Sequence, residues 1–303
     1  MNPESPLFKQ VTIIGVGLIG GSLGMAIKKS RVAQEVVGLS HRHTSLVYAL
    51  KNNAIDKAFY DIKKAVEHAD LVVMATPVNS IVTLLPTVAR FLKRGCVMTD
   101  VGSTKAVIVE TAEKNLTSAF FVGSHPLAGS EKRGAEFASP DLFRDSLCIM
   151  TPNERTNRFA DERVRAMWMR LGAVVKTLLP LEHDKILAYI SHLPHLVAYA
   201  LMGAIPAEYL PYGAQGLKDT TRIAASSIHM WNDICMMNSK NVIHSLDELV
   251  KTLSLLRKYI IARDEQNLIE AFKKAKAKRD TLDSPSKDTE HKTHEHPAQV
   301  VNP

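Results

Sequence analysis

One histidine, His125, stands where a short apolar run ends, in the segment FFVGSHPLAGSEKRG at residues 120–134. Histidine titrates near neutrality, so it can take the proton of a hydroxyl while hydride leaves the carbon that bears it. Ser103, in the segment DVGSTK at residues 100–105, is of a type that can orient the same hydroxyl. Lys105 is a second candidate base or an anion contact, although a surface lysine on a helix explains it equally well. These side chains indicate hydride-transfer chemistry if a nicotinamide lies beside them.

A glycine-rich segment near the start of the chain could bind the dinucleotide that such chemistry needs. In VTIIGVGLIGGSLG, residues 11–24, Gly15, Gly17 and Gly20 have the spacing GxGxxG between a strand pattern and a helix pattern. The first glycine permits a tight turn, the second lets pyrophosphate approach the backbone, and the third lets strand and helix pack closely. The amino terminus of the helix then favours the anion. The segment therefore predicts a dinucleotide site.

The end of the second predicted strand lacks the acidic residue that binds the ribose hydroxyls of NAD in many such sites. The segment VVGLSHRHTS, residues 36–45, has Ser40, His41 and Arg42 at that position. A hydroxyl and a guanidinium in place of a carboxylate suit a 2′-phosphate, so NADP is favoured over NAD as the cofactor. The alternative is a solvated loop, with NAD held by other contacts.

Short apolar runs and helical patterns alternate from Val11 to about Pro152. Apolar runs of this length without polar alternation are typical of parallel strands covered on both faces. The pattern predicts an α/β fold with an N-terminal Rossmann-type doubly wound sheet, in a dinucleotide-binding domain over residues 8–153. The predicted strands are Val11–Ile14, Val36–Leu39, Leu71–Ala75, Cys96–Thr99, Phe120–Val122 and Leu147–Met150.

Small or polar residues follow the predicted strands, and in an open α/β sheet ligands bind outside these carboxyl ends. Gly15, Ala75–Pro77, Ser103 and His125 all stand at such ends. A single histidine after a strand is usually structural, but at this edge of a dinucleotide-binding sheet a catalytic histidine is the better interpretation. The predicted cofactor-binding residues are Gly15, Gly17, Leu18, Ile19, Gly20, Ser40, His41, Arg42, Ala75, Thr76, Pro77 and Ser103.

The residues after Pro152 have a different character. One further strand-like run, Ala173–Leu179, precedes almost continuous helical periodicity, which predicts an all-helical substrate and dimerisation domain over residues 154–280. An apolar stripe there is long for so thin a domain, so we expect a homodimer. The tail, residues 281–303, is polar; we expect it to be disordered, with its segment HKTHEH solvated rather than metal-binding. The stripe consists of Leu246, Leu249, Val250, Leu253, Leu256 and Ile260.

Histidines and charged residues in the helical half could line a site. His192 and His195 share a helix face and could bind a metal, but no third ligand of matching spacing is visible. Polar core or interface histidines are the preferred interpretation, and no metal is expected. Arg222 lies between apolar neighbours, and a half-buried guanidinium there requires a carboxylate, from Asp219 or Asp233 or from a substrate.

Composition argues against several other classes of protein. The 303 residues carry a formal net charge of +7, but the basic residues are scattered apart from a cluster at Lys273–Arg279, so we expect no nucleic-acid partner. Three cysteines without CxxC spacing favour the reduced cytoplasm over a disulfide framework or a zinc site. Five glycines interrupt the uncharged run Val11–Ile27, so we expect neither a targeting segment nor a membrane helix.

Five segments in this order make the chain resemble the prephenate dehydrogenases of tyrosine biosynthesis over about residues 10–280. Members of this family oxidise prephenate, or in some cases arogenate, with loss of CO2, to give 4-hydroxyphenylpyruvate or tyrosine. The segments are GVGLIGGSLG at 15–24, DVGSTK at 100–105, GSHPLAGSEKRG at 123–134, SHLPH at 191–195 and LKDTTRIAASSIHMW at 217–231.

The resemblance implies roles for individual residues. His125 would accept the proton of the ring 4-hydroxyl, Ser103 would hydrogen-bond the same hydroxyl, and Arg222 would bind a substrate carboxylate. An NAD(P)-dependent enzyme of this kind orients hydride, hydroxyl and leaving carboxylate and takes a small-molecule substrate. The implied substrate-binding residues are Arg222, His195, Ser130, Glu131 and Lys218.

Other functions stay open. Arogenate dehydrogenase on the same scaffold is the nearest alternative. A β-hydroxyacid dehydrogenase, which would use a lysine from the helical half and has no role for His125, is a more distant one. A regulator that binds NADP without turnover would not need Ser103, His125 and Arg222 together. No chorismate mutase segment precedes the glycine loop and the tail is short and polar, so we expect no feedback control through a regulatory domain.

Overall fold

The computed structural model describes residues 5–128 and 134–282 and contains an eight-stranded sheet. The strands are β1 Phe8–Ile14, β2 Ala33–Leu39, β3 Lys57–Phe59, β4 Leu71–Met74, β5 Val97–Asp100, β6 Phe120–Pro126, β7 Leu147–Thr151 and β8 Val174–Thr177. Their order across the sheet is β3-β2-β1-β4-β5-β6-β7-β8. The order runs outward from β1 in both directions, which confirms the predicted doubly wound topology.

The helices of the amino-terminal half connect these strands, and those of the other half follow them. They are α1 Leu18–Lys29, α2 His43–Lys51, α3 Ile62–Val66, α4 Val78–Ala89, α5 Ala106–Asn115, α6 Arg158–Arg170, α7 Pro180–Leu187, α8 Leu193–Ala204, α9 Gln215–Thr221, α10 Ile228–Met237, α11 Ser239–Ala262 and α12 Glu265–Asp280. Pro86 lies inside α4, which continues past it to Ala89.

Two details of the sheet differ from the sequence-based expectation. The strand β3 was not predicted, because three residues are too short to produce an apolar run. The strand β7 pairs antiparallel with β6, from Gly123 opposite Thr151 to Pro126 opposite Cys148. A parallel strand needs a crossover, usually a helix. Among the described residues between β6 and β7, only a single helical turn, Ala135–Phe137, is present.

Apolar side chains on opposite faces of the strands form two cores. Val11 and Ile13 of β1 lie in one core, together with Leu23 of α1 and Trp168 of α6. Ile14 lies in the other core, which α4 and α5 cover. Burial on both faces explains why the strands are continuously apolar in the sequence. The packed cores also fix the carboxyl ends of the parallel strands along one edge of the sheet.

The sheet continues beyond residue 153, where the predicted amino-terminal domain ends. The helix α6 packs on it, and β8 pairs in parallel with β7, so the sheet extends to Thr177. The prediction placed the boundary where helical periodicity begins, but a helix that covers a sheet has the same periodicity. By its internal contacts the chain divides into two compact units after Ser245.

The helical segment Pro180–Ala204 combines α7, one turn of π-helix at Ala188–His192, and α8. Pro194 follows the π turn, and π turns within helices are frequent at functional sites. Among the described residues this is the one segment long and apolar enough to span a membrane, with a mean hydropathy of 1.3; 22% of its apolar window is buried. Length and composition alone do not distinguish a membrane helix from one that packs against protein.

Candidate active site

His125 lies near the carboxyl end of β6 with 8% of its surface exposed. Its Nδ1 is 2.9 Å from Nε2 of His183, at the start of α7. The two rings meet edge to face, with centroids 5.1 Å apart and planes at 62°. The predicted catalytic histidine is therefore held by a second histidine 58 residues later in the chain.

A carboxylate completes this chain of contacts. Nδ1 of His183 is 2.8 Å from Oδ1 of Asp184. The same carboxylate accepts the backbone N–H of Lys105 at 2.7 Å and that of Ala106 at 2.9 Å. These two amides belong to the amino terminus of α5, where backbone donors lack partners within the helix and favour a negative charge. Asp184 thus joins α7 to the loop that carries Ser103.

Lys105 is fully buried, so of the interpretations left open for it the surface lysine is wrong. Its ammonium pairs with Asp100 and donates to the carbonyl of Ser124 at 3.0 Å. Asp100 also accepts the backbone N–H of Gly102 at 2.9 Å and of Ser124 at 3.2 Å. Burial raises the pKa of Asp100 and lowers that of Lys105, because loss of water outweighs their mutual attraction. The pair fixes the ends of β5 and β6 relative to each other.

The surroundings of His125 favour its neutral form. Burial, followed by the neighbouring His183, Lys105 and His192, lowers the pKa of His125 well below its usual range. A neutral imidazole has a nitrogen lone pair, which is the state that a general base requires before it takes a proton. At neutral pH His125 is therefore in the neutral state that a general base needs.

A second histidine cluster lies in the helical half. Nδ1 of His192 is 3.2 Å from the side-chain amide of Asn238, which also donates to the carbonyl of Asp184 at 2.7 Å. Burial lowers the pKa of His192 to about 4. Trp231 stacks on His195 with ring centroids 3.5 Å apart and meets the edge of His192 at 6.0 Å. His192 is a buried polar residue, which agrees with the preferred interpretation of the pair.

Metal binding by the histidines finds no support in the described residues. No group of three or more potential ligands from His, Cys, Asp and Glu lies close together in residues 5–128 and 134–282. The cysteines Cys96, Cys148 and Cys235 are free, and burial raises the pKa of the Cys96 thiol to about 12. Thiols in this state are protonated at neutral pH and bind metals poorly.

The predicted substrate-binding residues have different surroundings. His195 is half-buried and its Nδ1 lies 3.0 Å from the carbonyl of Ser191. Burial lowers the pKa of His195, and the charge of Arg222 adds to this effect. Arg222 itself is exposed, so its expected half-burial is wrong, and Lys218 is also exposed. The remaining two predicted residues, Ser130 and Glu131, lie outside the described residues.

A cleft of about 510 Å³ is lined by eight of the twelve predicted cofactor residues: Gly15, Gly17, Ser40, His41, Arg42, Ala75, Thr76 and Pro77. Leu18, Ile19, Gly20 and Ser103 are not among its lining residues. At Gly15, with φ of +98°, an added Cβ would lie 2.6 Å from the carbonyl oxygen of Ala75, so only glycine fits. At Gly20 it would lie 2.0 Å from the carbonyl of Gly15, whereas at Gly17 it would meet nothing within 4 Å. The lining residues include Gly15, Val16, Gly17, Ser40, His41, Arg42, Ser45, Tyr60, Ala75, Thr76 and Pro77.

This cleft fits a dinucleotide. The open space at Gly17 lies where α1 begins at Leu18, and the first turn of α1 has no acidic residue, so pyrophosphate can approach the backbone amides. At the far end, α2 begins after Arg42, whose backbone N–H donates to Oγ of Ser40 at 3.1 Å. No lining residue of this cleft, all of which lie in the described part of the chain, is Asp or Glu.

Several residues of the site were not assigned a role from the sequence. His183 and Asp184 are among them, because nothing in the spacing of these residues connects them to His125. Asn238 and Tyr60 carry no signal in the sequence, since each reaches the site through folding of distant segments. Tyr60 lies in the cofactor cleft, and its hydroxyl is 2.6 Å from Nδ1 of His43.

Comparison with known proteins identifies the family. A family model described as "Prephenate dehydrogenase, nucleotide-binding domain" matches residues 23–177, and one described as "Prephenate dehydrogenase, dimerization domain" matches residues 179–274. The chain is 36% identical to a prephenate dehydrogenase of Bacillus subtilis, over 90% of this chain and 76% of that protein. It is 33% identical to a cyclohexadienyl dehydrogenase of Zymomonas mobilis, over 90% of this chain and 96% of that protein.

A solved structure agrees with these matches. The crystal structure of prephenate dehydrogenase from Aquifex aeolicus, in complex with hydroxyphenyl propionate and NAD+, superposes with a TM-score of 0.85 at 32% identity. The match covers 91% of this chain and 98% of that chain. The resemblance inferred from the five segments is confirmed by the two family models and by these relatives: the chain belongs to the prephenate dehydrogenase family.

Proposed function

We propose that this protein oxidises prephenate to 4-hydroxyphenylpyruvate, with loss of CO2 and hydride transfer to a dinucleotide, as a step of tyrosine biosynthesis. The observation that carries the proposal is a buried, neutral His125 at the same edge of the sheet as the glycine loop of the cofactor cleft. Adjacent parallel strands place Gly15, Ala75 and Val101 directly after β1, β4 and β5, and β6 extends from this edge to His125.

The proposed mechanism assigns one task to each residue. His125 takes the proton of the ring 4-hydroxyl as hydride leaves the same carbon, and Ser103 hydrogen-bonds that hydroxyl. A nicotinamide bound in the cofactor cleft would supply the hydride acceptor. The ring ketone then receives the electron pair of the bond to the carboxylate, which leaves as CO2, and the aromatic ring takes up a proton on oxygen. Arg222 binds the side-chain carboxylate through both steps, so the protein mainly orients the reacting groups.

We propose NADP as the preferred cofactor. The cleft presents Ser40, His41, Arg42 and Ser45 at its far end and no carboxylate among its lining residues. A carboxylate would accept hydrogen bonds from a 2′-hydroxyl and repel a 2′-phosphate, whereas guanidinium and hydroxyl groups attract the phosphate. The exposed Arg42 stands before the amino terminus of α2, which adds backbone donors for the same anion.

We propose that the protein acts as a homodimer through its helical half, in the cytoplasm and without a membrane or nucleic-acid partner. The predicted stripe on α11 is exposed in the single chain: Val250, Leu253 and Ile260 each expose more than half of their surface. Exposed apolar surfaces of this extent mark protein–protein contacts. A second copy of the chain presents the same apolar stripe, so two copies bury it against each other. The matching of a dimerization-domain family model to residues 179–274 supports the same proposal.

Arogenate is a second candidate substrate, and one hydrogen bond favours it. Nδ1 of His195 faces the carbonyl of Ser191 and must therefore carry a hydrogen. In the neutral ring Nε2 is then an acceptor, which suits the ammonium group of arogenate better than the keto group of prephenate. Prephenate carries the keto group and arogenate carries the ammonium group at the same position of the side chain. The residues that contact this position therefore determine which substrate is preferred.

One set of steady-state measurements tests these proposals together. Initial rates are measured with prephenate and with arogenate, each with NAD and with NADP. Prephenate with NADP is expected to give the highest kcat/KM. A preference for arogenate would move the assignment to the second candidate, and a preference for NAD would overturn the cofactor proposal. Saturable NADPH binding without turnover of either substrate would overturn the enzymatic function.

A further inference from the structure

We propose that His183 and Asp184 are positioning residues that fix the tautomer of His125 and stabilise its protonated form. The three residues are called the triad below. The proposal rests on the proposed function for the role of His125 as a base, but the arrangement of hydrogen atoms follows from the contacts alone. It goes beyond a single histidine acting at the end of β6.

Asp184 accepts each of its side-chain hydrogen bonds, because a carboxylate has no hydrogen to donate. Its two oxygens receive the backbone N–H groups of Lys105 and Ala106 at 2.7 and 2.9 Å. The oxygen that faces Lys105 is also 2.8 Å from Nδ1 of His183. Three donors converge on one buried carboxylate, so Nδ1 of His183 must carry a hydrogen.

The protonation of His183 then determines which ring nitrogen of His125 carries a hydrogen. Burial lowers the pKa of His183, so its ring is neutral near pH 7. A neutral ring with hydrogen on Nδ1 has an acceptor at Nε2, and this atom is 2.9 Å from Nδ1 of His125. Nδ1 of His125 must therefore donate. The lone pair of His125 is left on Nε2, the nitrogen on the other side of the ring.

This tautomer is the one that catalysis requires. With hydrogen on Nε2 instead, His125 would present a donor to the substrate hydroxyl and could not take its proton. An aspartate that acts on a catalytic histidine through Nδ1 fixes the tautomer in the same way in serine hydrolases. Here a second histidine stands between the carboxylate and the base, so Asp184 acts through His183.

The triad also balances charge when His125 gains a proton. Among the residues that the structure describes, the titratable groups near His125 are His183 and Asp184 at α7, Lys105 before α5, Asp100 on β5, Cys148 on β7 and His192 in the π turn. Asp100 is already paired with Lys105. Asp184 is the remaining carboxylate in this set, and its charge reaches His125 through a polarised hydrogen bond. Without it, protonated His125 would be less stable.

The first test reads the tautomer directly and needs no activity. The protein is labelled with 15N in its histidine side chains, and the signals of His125 are assigned by their loss in His125→Asn. We expect an unprotonated Nε2 and a protonated Nδ1 at pH 7. A protonated Nε2 with an unprotonated Nδ1 would overturn the proposal, whatever the substrate proves to be. This test stands even if the wild-type protein turns over none of the four substrate and cofactor combinations.

The second test uses three variants in the wild-type background. His183→Phe keeps a ring but removes the acceptor, and we expect kcat to fall by about 100-fold with KM for the substrate and dinucleotide within about threefold. His183→Gln keeps a side-chain acceptor and should retain at least tenfold more kcat than His183→Phe. Asp184→Asn should lower kcat and shift the acid limb of the kcat/KM profile to lower pH, because loss of a negative charge makes His125 a weaker base.

Exposed His68→Phe is the matched control, and its kcat and pH profile should equal those of the wild type. If His183→Phe fails to fold, the comparison of His183→Gln and Asp184→Asn with the wild type takes its place. A folded His183 variant without an acceptor that keeps kcat and the acid limb within twofold of the wild type would overturn the proposal. An unchanged acid limb in a folded Asp184→Asn would overturn the role given to Asp184.

Discussion

Lys105 and Asp100 form an ion pair in which neither side chain is accessible to solvent. Lys105 lies two residues after Ser103 in the same loop, and its ammonium donates to the carbonyl of Ser124, the residue before His125. Two charges so deeply buried stabilise the fold only while both are present, because removal of one leaves the other buried without its counter-charge. This ion pair therefore fixes both segments that carry the predicted catalytic residues, the loop with Ser103 and the end of β6 with His125.

Removal of one partner of this pair should destabilise the protein strongly. We expect Lys105→Met to lower the free energy of unfolding by about 3–5 kcal/mol, because it leaves the Asp100 carboxylate buried and unpaired. Chemical denaturation measures the loss. Lys114→Met, which breaks an exposed pair with Glu110, should cost no more than about 1 kcal/mol and serves as the control. Equal effects of the two substitutions would contradict a stabilising role of the buried pair.

Replacement of the proposed base should act on turnover rather than on binding. We expect His125→Asn to lower kcat by about 10²–10⁴-fold while the KM for substrate changes little, because the imidazole acts on the moving proton. Steady-state kinetics at neutral pH measure both constants, and NADPH fluorescence checks that the cofactor still binds. Near-full turnover would instead favour a β-hydroxyacid dehydrogenase, which has no use for this histidine.

Replacement of Arg222 should act mainly on substrate binding. We expect Arg222→Ala to raise KM by about 10- to 100-fold, since a charged hydrogen bond to a carboxylate is worth about 1.5–3 kcal/mol in both ground and transition states. Arg94→Ala is a suitable control, because that exposed arginine precedes β5 at the opposite edge of the sheet. An effect of Arg222→Ala on kcat alone would contradict the assigned role.

The cofactor preference should depend on Arg42. We expect Arg42→Ala to reduce kcat/KM for NADP by about tenfold or more and to leave that for NAD within threefold, because only NADP carries the 2′-phosphate. The matched control is Lys51→Ala at the other end of α2. Parallel losses with both cofactors would mean that Arg42 contacts a part of the dinucleotide that NAD and NADP share.

Stability should fall as the pH falls below neutrality. Burial lowers the pKa of His125, His183 and His192 in the folded protein, the last to about 4, while the unfolded chain titrates near 6.5. Between these values the unfolded state binds more protons, so acid favours it. His192 alone should contribute a loss of about 2 kcal/mol at pH 5. Thermal unfolding between pH 7 and 5 measures the slope, which should be smaller in His192→Gln and unchanged in His68→Phe.

The proposed dimer should depend on the stripe of α11. We expect Val250→Glu combined with Leu253→Glu to convert the dimer to monomer, because the charges would be buried between two copies. Light scattering coupled to size exclusion measures the mass. Lys258→Glu, an exposed polar position of the same helix, should leave the mass unchanged. A mass equal to the wild type for the double variant would place the contact elsewhere.

The fold and the cofactor cleft could be predicted because their signals are local. A strand covered on both faces is continuously apolar, so it can be recognised from a few consecutive residues. The GxGxxG spacing likewise predicts a tight turn, because the glycines that such a turn requires stand within a few residues of one another. Gly15 and Gly20 confirm this, since a side chain at either would collide with backbone. The strand β3 and the antiparallel direction of β7 could not be predicted, because pairing direction depends on the partner strand and leaves no trace in an apolar run.

Residue types at short spacings were enough to predict the order of the main elements and the glycine loop from the sequence by itself. They were also enough to make His125 and Ser103 candidate catalytic residues. Only the tertiary structure decided the environment of His125. Its partner His183 comes 58 residues later, and the burial of Lys105 arises where two strands and two helices meet. Hydrogen-bond direction and desolvation depend on distances between such segments, and these distances set the protonation state of the proposed base.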